Sequence, residues 1–160
     1  MKKSKAAITM LLGVLLFVTA CKKDKVEIEN KYTYLGADSK IEAASATHRI
    51  ITTSNKPAFD RLNILFDAEG TEKQLTINFN SKNILTGKFT NKDDDTPGFD
   101  PTLNFDDGIV RQDGASDRIT DGSVEISKSG DTYTVKATVT TAKGQLTCNY
   151  IGAIPLIEGG

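Results

Sequence analysis

The chain has 160 residues, with 20 basic and 21 acidic side chains, one His, two Cys and no Trp. That length suits a single domain, and 38 % hydrophobic against 26 % charged residues is too apolar for wholesale disorder. A formal net charge of −1 offers no basic excess for nucleic acid, and one His with two Cys leaves too few soft ligands for a zinc site.

Lys2, Lys3 and Lys5 open the chain, and Ala6 to Val18 then form a 13-residue apolar run. A helix that crosses a bilayer needs about 20 such residues, so the run suits the apolar region of a secretory signal instead. Val18-Thr19-Ala20-Cys21 follows directly, and Lys22, Lys23, Asp24 and Lys25 come next. A basic start, an apolar run, small residues and then Cys resemble the lipobox of bacterial lipoproteins. The resemblance implies cleavage before Cys21, a diacylglycerol on its sulfur and an acyl chain such as palmitate on the new amine. Residues 1–20 then read as a signal peptide, 21–28 as a lipidated Cys with a flexible tether, and 29–160 as one β domain. The implied partner is the lipid bilayer, reached through acylated Cys21. The implied location is the outer membrane of the cell envelope, on its periplasmic or its surface face. Each buried CH₂ contributes about 0.8 kcal/mol, so several acyl chains together make an anchor that does not readily dissociate. Without the three leader lysines the remainder carries 17 basic and 21 acidic side chains, a net charge of −4. Cys148 is then the one thiol left, with no disulfide partner in the chain.

From Val26 onward short alternating runs rich in Thr, Val, Ile and Tyr are separated by turn residues, the pattern of half-buried antiparallel strands. Lys31 to Leu35 places Tyr32 and Tyr34 on one face and stops at Gly36. Ile41 to Thr53 mixes an Ala-rich half with a β-leaning one and reads as a strand. Leu62, Ile64 and Phe66 alternate, and so do Leu75, Ile77 and Phe79 after the turn at Asp67-Ala68-Glu69-Gly70. Ile84 to Phe89 and Leu103 to Val110 are weaker candidates. A meander closes the chain, with Val124 and Ile126, then Tyr133, Val135, Ala137 and Val139, then Leu146, Cys148 and Tyr150 facing inward. The expectation is an all-β domain, an antiparallel meander of about eight to ten strands forming a β-sandwich or an open, lipocalin-like barrel.

Several of these segments resemble small lipoproteins found throughout the Bacteroidota. Asn30 to Gly36 is similar to their opening strand. Leu85-Thr86-Gly87-Lys88-Phe89 resembles a step in which Tyr usually stands where Phe89 does. Asp121 to Val135 resembles their recurring hairpin, and Gly144 to Gly152 their closing strand, with Cys148 in place of a small residue. The resemblance covers most of residues 30–155 and implies an all-β lipoprotein without implying an activity.

One stretch stands out for chemistry. Residues 91–121 hold Asp93, Asp94, Asp95, Asp100, Asp106, Asp107, Asp113, Asp117 and Asp121 against Lys92, Arg111 and Arg118, a net charge of −6. Clustered carboxylates are what Ca²⁺ requires, and Asp93, Asp95 and Asp100 are the candidate ligands. An EF-hand register from Asp93 nevertheless fails, with Pro97 at its fifth position and Asn104 where a bidentate Glu belongs. The other reading is a solvated loop in which Asp107-Gly108, Asp113-Gly114 and Asp121-Gly122 make turns. Phe99 and Phe105 either flank a recognition loop or anchor it to the sheet. His48 is the one group suited to proton transfer near neutral pH. No nucleophile-elbow sequence lies near it, and Thr47-His48-Arg49 reads as strand, so a surface or edge position is expected. Cys148 reads as a buried small hydrophobe. The functional expectation is a non-enzymatic binding or assembly role for a tethered β domain. Its candidate binding loop carries Asp93, Asp94, Asp95, Phe99, Asp100, Phe105, Asp106, Asp107, Asp113 and Asp117, and its partner is an unidentified protein or small molecule. A lipocalin-like carrier of an apolar ligand is the alternative, with a small envelope hydrolase or inhibitor behind it.

Overall fold

The computed structural model describes residues 29–159 apart from Asn55 and Thr71. The expected signal peptide, Cys21 and the expected tether lie outside the described residues. Eleven strands form in chain order: β1 (Lys31–Tyr34), β2 (Ala37–Thr53), β3 (Lys56–Ala68), β4 (Gln74–Phe79), β5 (Gly87–Asn91), β6 (Asn104–Phe105), β7 (Asp107–Gln112), β8 (Ala115–Ser129), β9 (Thr132–Thr141), β10 (Gln145–Gly152) and β11 (Leu156–Glu158). The fold is all-β, as the alternation of side chains requires.

Eight strands close a ring in the order β1-β2-β3-β4-β7-β8-β9-β10, with β10 returning to β1 and every neighbour antiparallel. Two long strands make the corners. β2 pairs with β1 through Ala37 to Lys40 and with β3 from Ile41 onward, with a register shift between Ile41 and Ala43. β8 pairs with β7 through Ala115 to Arg118 and with β9 from Ile119 onward, with a shift between Ile119 and Asp121. A β-bulge adds local twist and bends its strand, so each long strand changes partner at its bulge, a ring consistent with a β-sandwich or a barrel-like fold. The remaining strands are additions: β5 lies on β8, β6 runs parallel to β5, and β11 runs parallel to β2.

The alternating apolar positions of the sequence turn inward, Tyr133 only partly buried. Tyr32, Tyr34, Leu62, Ile64, Phe66, Leu75, Ile77, Phe79, Val124, Val135, Val139 and Leu146 are buried with Phe89 and Phe105 in one core. Phe79 packs edge-on to Phe89 at 5.2 Å between ring centres, and Phe66 edge-on to Tyr150 at 5.4 Å. Among the described residues these side chains form one buried cluster inside the ring.

Antiparallel order fixes which connections share a rim. Turns β1–β2, β3–β4, β7–β8 and β9–β10 lie at one rim. The other holds the start of β1, turns β2–β3 and β8–β9, and the long excursion between β4 and β7.

The expected solvated loop is corrected by this arrangement. Residues 91–121 include the last residue of β5, all of β6 and β7 and the start of β8, and their one long loop is 92–103. Of the three Asp-Gly steps only Asp113-Gly114 is a turn, with φ of 52° and 81° between paired Gln112 and Ala115. Positive φ at both central residues is what a two-residue hairpin turn demands. Asp107-Gly108 instead opens β7, and Asp121-Gly122 sits in the β8 bulge. Glycine is needed at those two places for close approach. A Cβ on Gly108 would lie 2.5 Å from Ile119, and one on Gly122 would lie 2.4 Å from the carbonyl oxygen of Thr138.

Candidate functional site

The acidic side chains are divided among separate structural tasks. Asp107 and Asp113 stand at opposite ends of β7, a six-residue strand that spans about 20 Å at roughly 3.3 Å per residue. No single loop therefore presents the whole predicted set.

At the rim that holds the β4–β7 excursion, Arg61 of β3 is the centre of a polar network. Its guanidinium donates to Asp106, to Asp107 at 2.7 Å and to the side-chain oxygen of Asn80 at 3.2 Å. Asn78 donates to Asp107 at 2.5 Å and accepts from Asn63 at 2.6 Å. Asn80 donates to Asp94 at 3.1 Å, and the Asp94 backbone N–H donates to Asp106 at 2.9 Å. Arg118 approaches Asp107 at 3.3 Å and Asp93 at 3.8 Å. Burial pushes the Asp106 carboxyl above its usual range, opposed by the Asp94 N–H and by Arg61. The network ties the excursion to β3 and β4. Arg61, Asn63, Asn78 and Asn80 were not legible as its members, although Asn78-Phe79-Asn80 at the end of a strand is an unusual polar pairing around a core ring.

Asp100 is taken up locally. It accepts from the backbone and the hydroxyl of Thr102 at 2.8 and 2.7 Å, and those bonds hold its carboxyl below the usual range. Phe105 is fully buried against Phe79, and Phe99 is half-buried, so Phe105 anchors the excursion. Asp93, Asp94 and Asp95 each bring one carboxylate oxygen within 4.8 Å of the others, and Asp93 also accepts from the Asp95 backbone N–H at 3.0 Å. Of the three Ca²⁺ candidates this group contains Asp93 and Asp95 and leaves out Asp100.

At the opposite rim Asp113 is an exposed turn residue, and Asp117 joins Tyr34 at 2.9 Å and Lys143 at 3.0 Å. The Lys143 ammonium, with Tyr34 adding, holds the Asp117 carboxyl below its usual range.

His48 corrects the expected surface or edge position. It is buried at 5 % exposure on β2, with Nδ1 2.6 Å from Glu158 of β11 and Nε2 2.7 Å from Asp60 of β3. Ionised carboxylates only accept hydrogen bonds, so a ring that faces two of them donates from both nitrogens as imidazolium. Hydrogen bonding to Glu158 and then to Asp60 accordingly raises its pKa. Glu158 lies 110 residues away in sequence, and no local signal joined the two. Cys148 is buried in the core, and burial pushes its thiol up to about 12.

The fold and these sites define an all-β protein, a ring of eight antiparallel strands whose polar clusters fasten strands and loops together. No protein-family model, curated protein or solved structure matches the chain.

Proposed function

We propose that the chain is a lipid-anchored protein of the cell envelope, attached to the outer membrane through acylated Cys21, with a non-enzymatic binding or assembly role. The observation that carries this reading is Val18-Thr19-Ala20-Cys21 directly after a basic start and a 13-residue apolar run. Cys21 precedes the first strand by ten residues, which at full extension span about 33 Å, enough to hold a small domain clear of headgroups. The non-enzymatic part is supported by the state of the two groups best suited to catalysis. Both ring nitrogens of His48 are engaged by carboxylates, which leaves neither to take a proton from a hydroxyl or thiol. Cys148, with its thiol at about 12, is far from the thiolate that nucleophilic chemistry needs. A single cluster of large buried side chains, Tyr32, Phe66, Phe79, Phe89 and Phe105 among them, supports a binding or assembly role over a carrier that encloses an apolar ligand.

The test is fractionation of cells expressing the full chain and its Cys21→Ala variant, together with labelled palmitate. The wild type is expected in the outer-membrane fraction with label incorporated. The variant is expected unlabelled and released from membranes. Tight membrane attachment of the variant, or wild type without label, would overturn the reading.

A further inference from the structure

β11 covers a part of β2 that the barrel leaves open. β1 reaches along β2 only from Ala37 to Lys40, while β3 occupies the other side from Ile41 onward. The side vacated by β1 is taken up by β11, with Leu156, Ile157 and Glu158 in parallel register with Ala46, Thr47 and His48. Two backbone bonds frame this pairing: Ala46 N–H to the Pro155 oxygen at 2.9 Å, and Gly159 N–H to the His48 oxygen at 2.8 Å.

Little else holds this segment. All three residues of β11 are exposed, with Leu156 and Ile157 at 40 % and 52 %. Ile154, just before it, is buried in the core, so the part free to move starts at Pro155. A short segment with exposed hydrogen bonds and few buried apolar contacts belongs to the low-stability end of a structure. Among the described residues, the ionic attachment of β11 is the Glu158–His48 contact, which Asp60 shares from the other side of the ring.

We propose that His48 is a charge-dependent clasp: as imidazolium it bridges β3 and β11 and holds the C-terminal strand on β2, and its deprotonation frees Pro155 to Gly159. A neutral imidazole has one N–H, so one of its two nitrogens would face a carboxylate with no hydrogen to share. Among the described residues, the charged groups on this ring are Asp60 from β3 and Glu158 from β11. On β2 the neighbouring Arg49 lies beside Gly159, and on β3 Arg61 is engaged by Asp106 and Asp107. The sign follows from linkage. A His with a raised folded-state pKa contributes its full stabilisation below the unfolded value of about 6.5 and loses it as pH rises through the folded value. Release therefore comes on the alkaline side. It uncovers backbone groups of β2 at residues 46–48, an open strand edge of the kind that pairs with other strands.

The experiment is amide hydrogen exchange of the full chain in detergent, corrected for intrinsic rates, between about pH 6 and about pH 9. The reporters are the Gly159 and Ala46 amides, and ladder amides of β9 and β10 are the control. Protection of the two reporters is expected to fall as His48 deprotonates. The fall is about tenfold for each unit by which its folded pKa exceeds the unfolded one, while the control stays constant. His48→Gln should give low reporter protection at all these pH values with no step. Glu158→Gln, at an exposed position that cannot disturb the core, should shrink the step even if His48→Gln fails to fold. Reporter protection that does not change while His48 titrates, or a full step retained in Glu158→Gln, would overturn the proposal.

Discussion

Tyr34, at the end of β1, donates its phenolic hydrogen to Asp117 near the start of β8, across the barrel and 83 residues away in sequence. The same oxygen lies 2.9 Å from the Thr141 hydroxyl, and Lys143 holds Asp117 from outside. Tyr34→Phe is expected to lower stability by about 1 kcal/mol, the net value of a hydrogen bond at a shielded site. The loss should depend on pH. Asp117 has a depressed folded pKa, so its contribution is present above the unfolded value of about 3.9 and disappears as pH falls through the folded one. Urea midpoints of the wild type and Tyr34→Phe, measured from about pH 6 to about pH 3, are expected to converge at the acid end.

Arg61 faces Asp106, a carboxylate at 8 % side-chain exposure, so its removal leaves a buried charge with the Asp94 N–H but without its cation. Arg61→Leu is expected to cost about 3 kcal/mol in chemical denaturation. Asp106 already has a raised folded pKa, and loss of Arg61 raises it further. A raised acid loses its stabilising contribution as pH increases, so the variant should weaken from about pH 4 to about pH 7 more than wild type does. Adding Asp106→Asn should restore much of the loss and flatten the profile.

Glycine substitutions should separate a corner from a turn. At Gly122 φ is 122° and a Cβ would meet backbone atoms of Thr138 and Val139 at 2.4 and 2.5 Å. Gly122→Ala is expected to cost about 2 to 4 kcal/mol, since strain and a backbone clash add. Gly130, in the β8–β9 turn, has φ of 58° and nothing within 4 Å of a new Cβ. Gly130→Ala should cost only about 1 kcal/mol, the penalty of a left-handed residue. Thermal midpoints of the two variants give the comparison directly.

Cys148 should behave as an internal reporter of unfolding. Its burial at 2 % exposure and a thiol pKa of about 12 predict negligible alkylation by iodoacetamide in the native protein near neutral pH. In denaturant, reaction is expected at the rate of a free cysteine. Rapid labelling without denaturant would show that the β9–β10 face opens locally.

The strands were legible because side chains alternate faces along an extended chain. Leu62, Ile64 and Phe66, or Leu146, Cys148 and Tyr150, had one arrangement that buried them together, and that is the one found. β11 was missed because three exposed residues carry no such alternation, and its strand character comes from β2 alone. The acidic segment misled in a different way. Composition recorded nine carboxylates within 31 residues, but not that β7 would set them at two rims.

By itself, then, the sequence determined the all-β class and the inward faces of its strands. Each of those rests on residues close together in the chain. Closure of the ring, the corner glycines and the pairing of His48 with Glu158 and Asp60 were decided by the tertiary structure. Those contacts depend on strand register, and residues 48 and 158 come to 2.6 Å only because β11 pairs with β2 across the length of the chain.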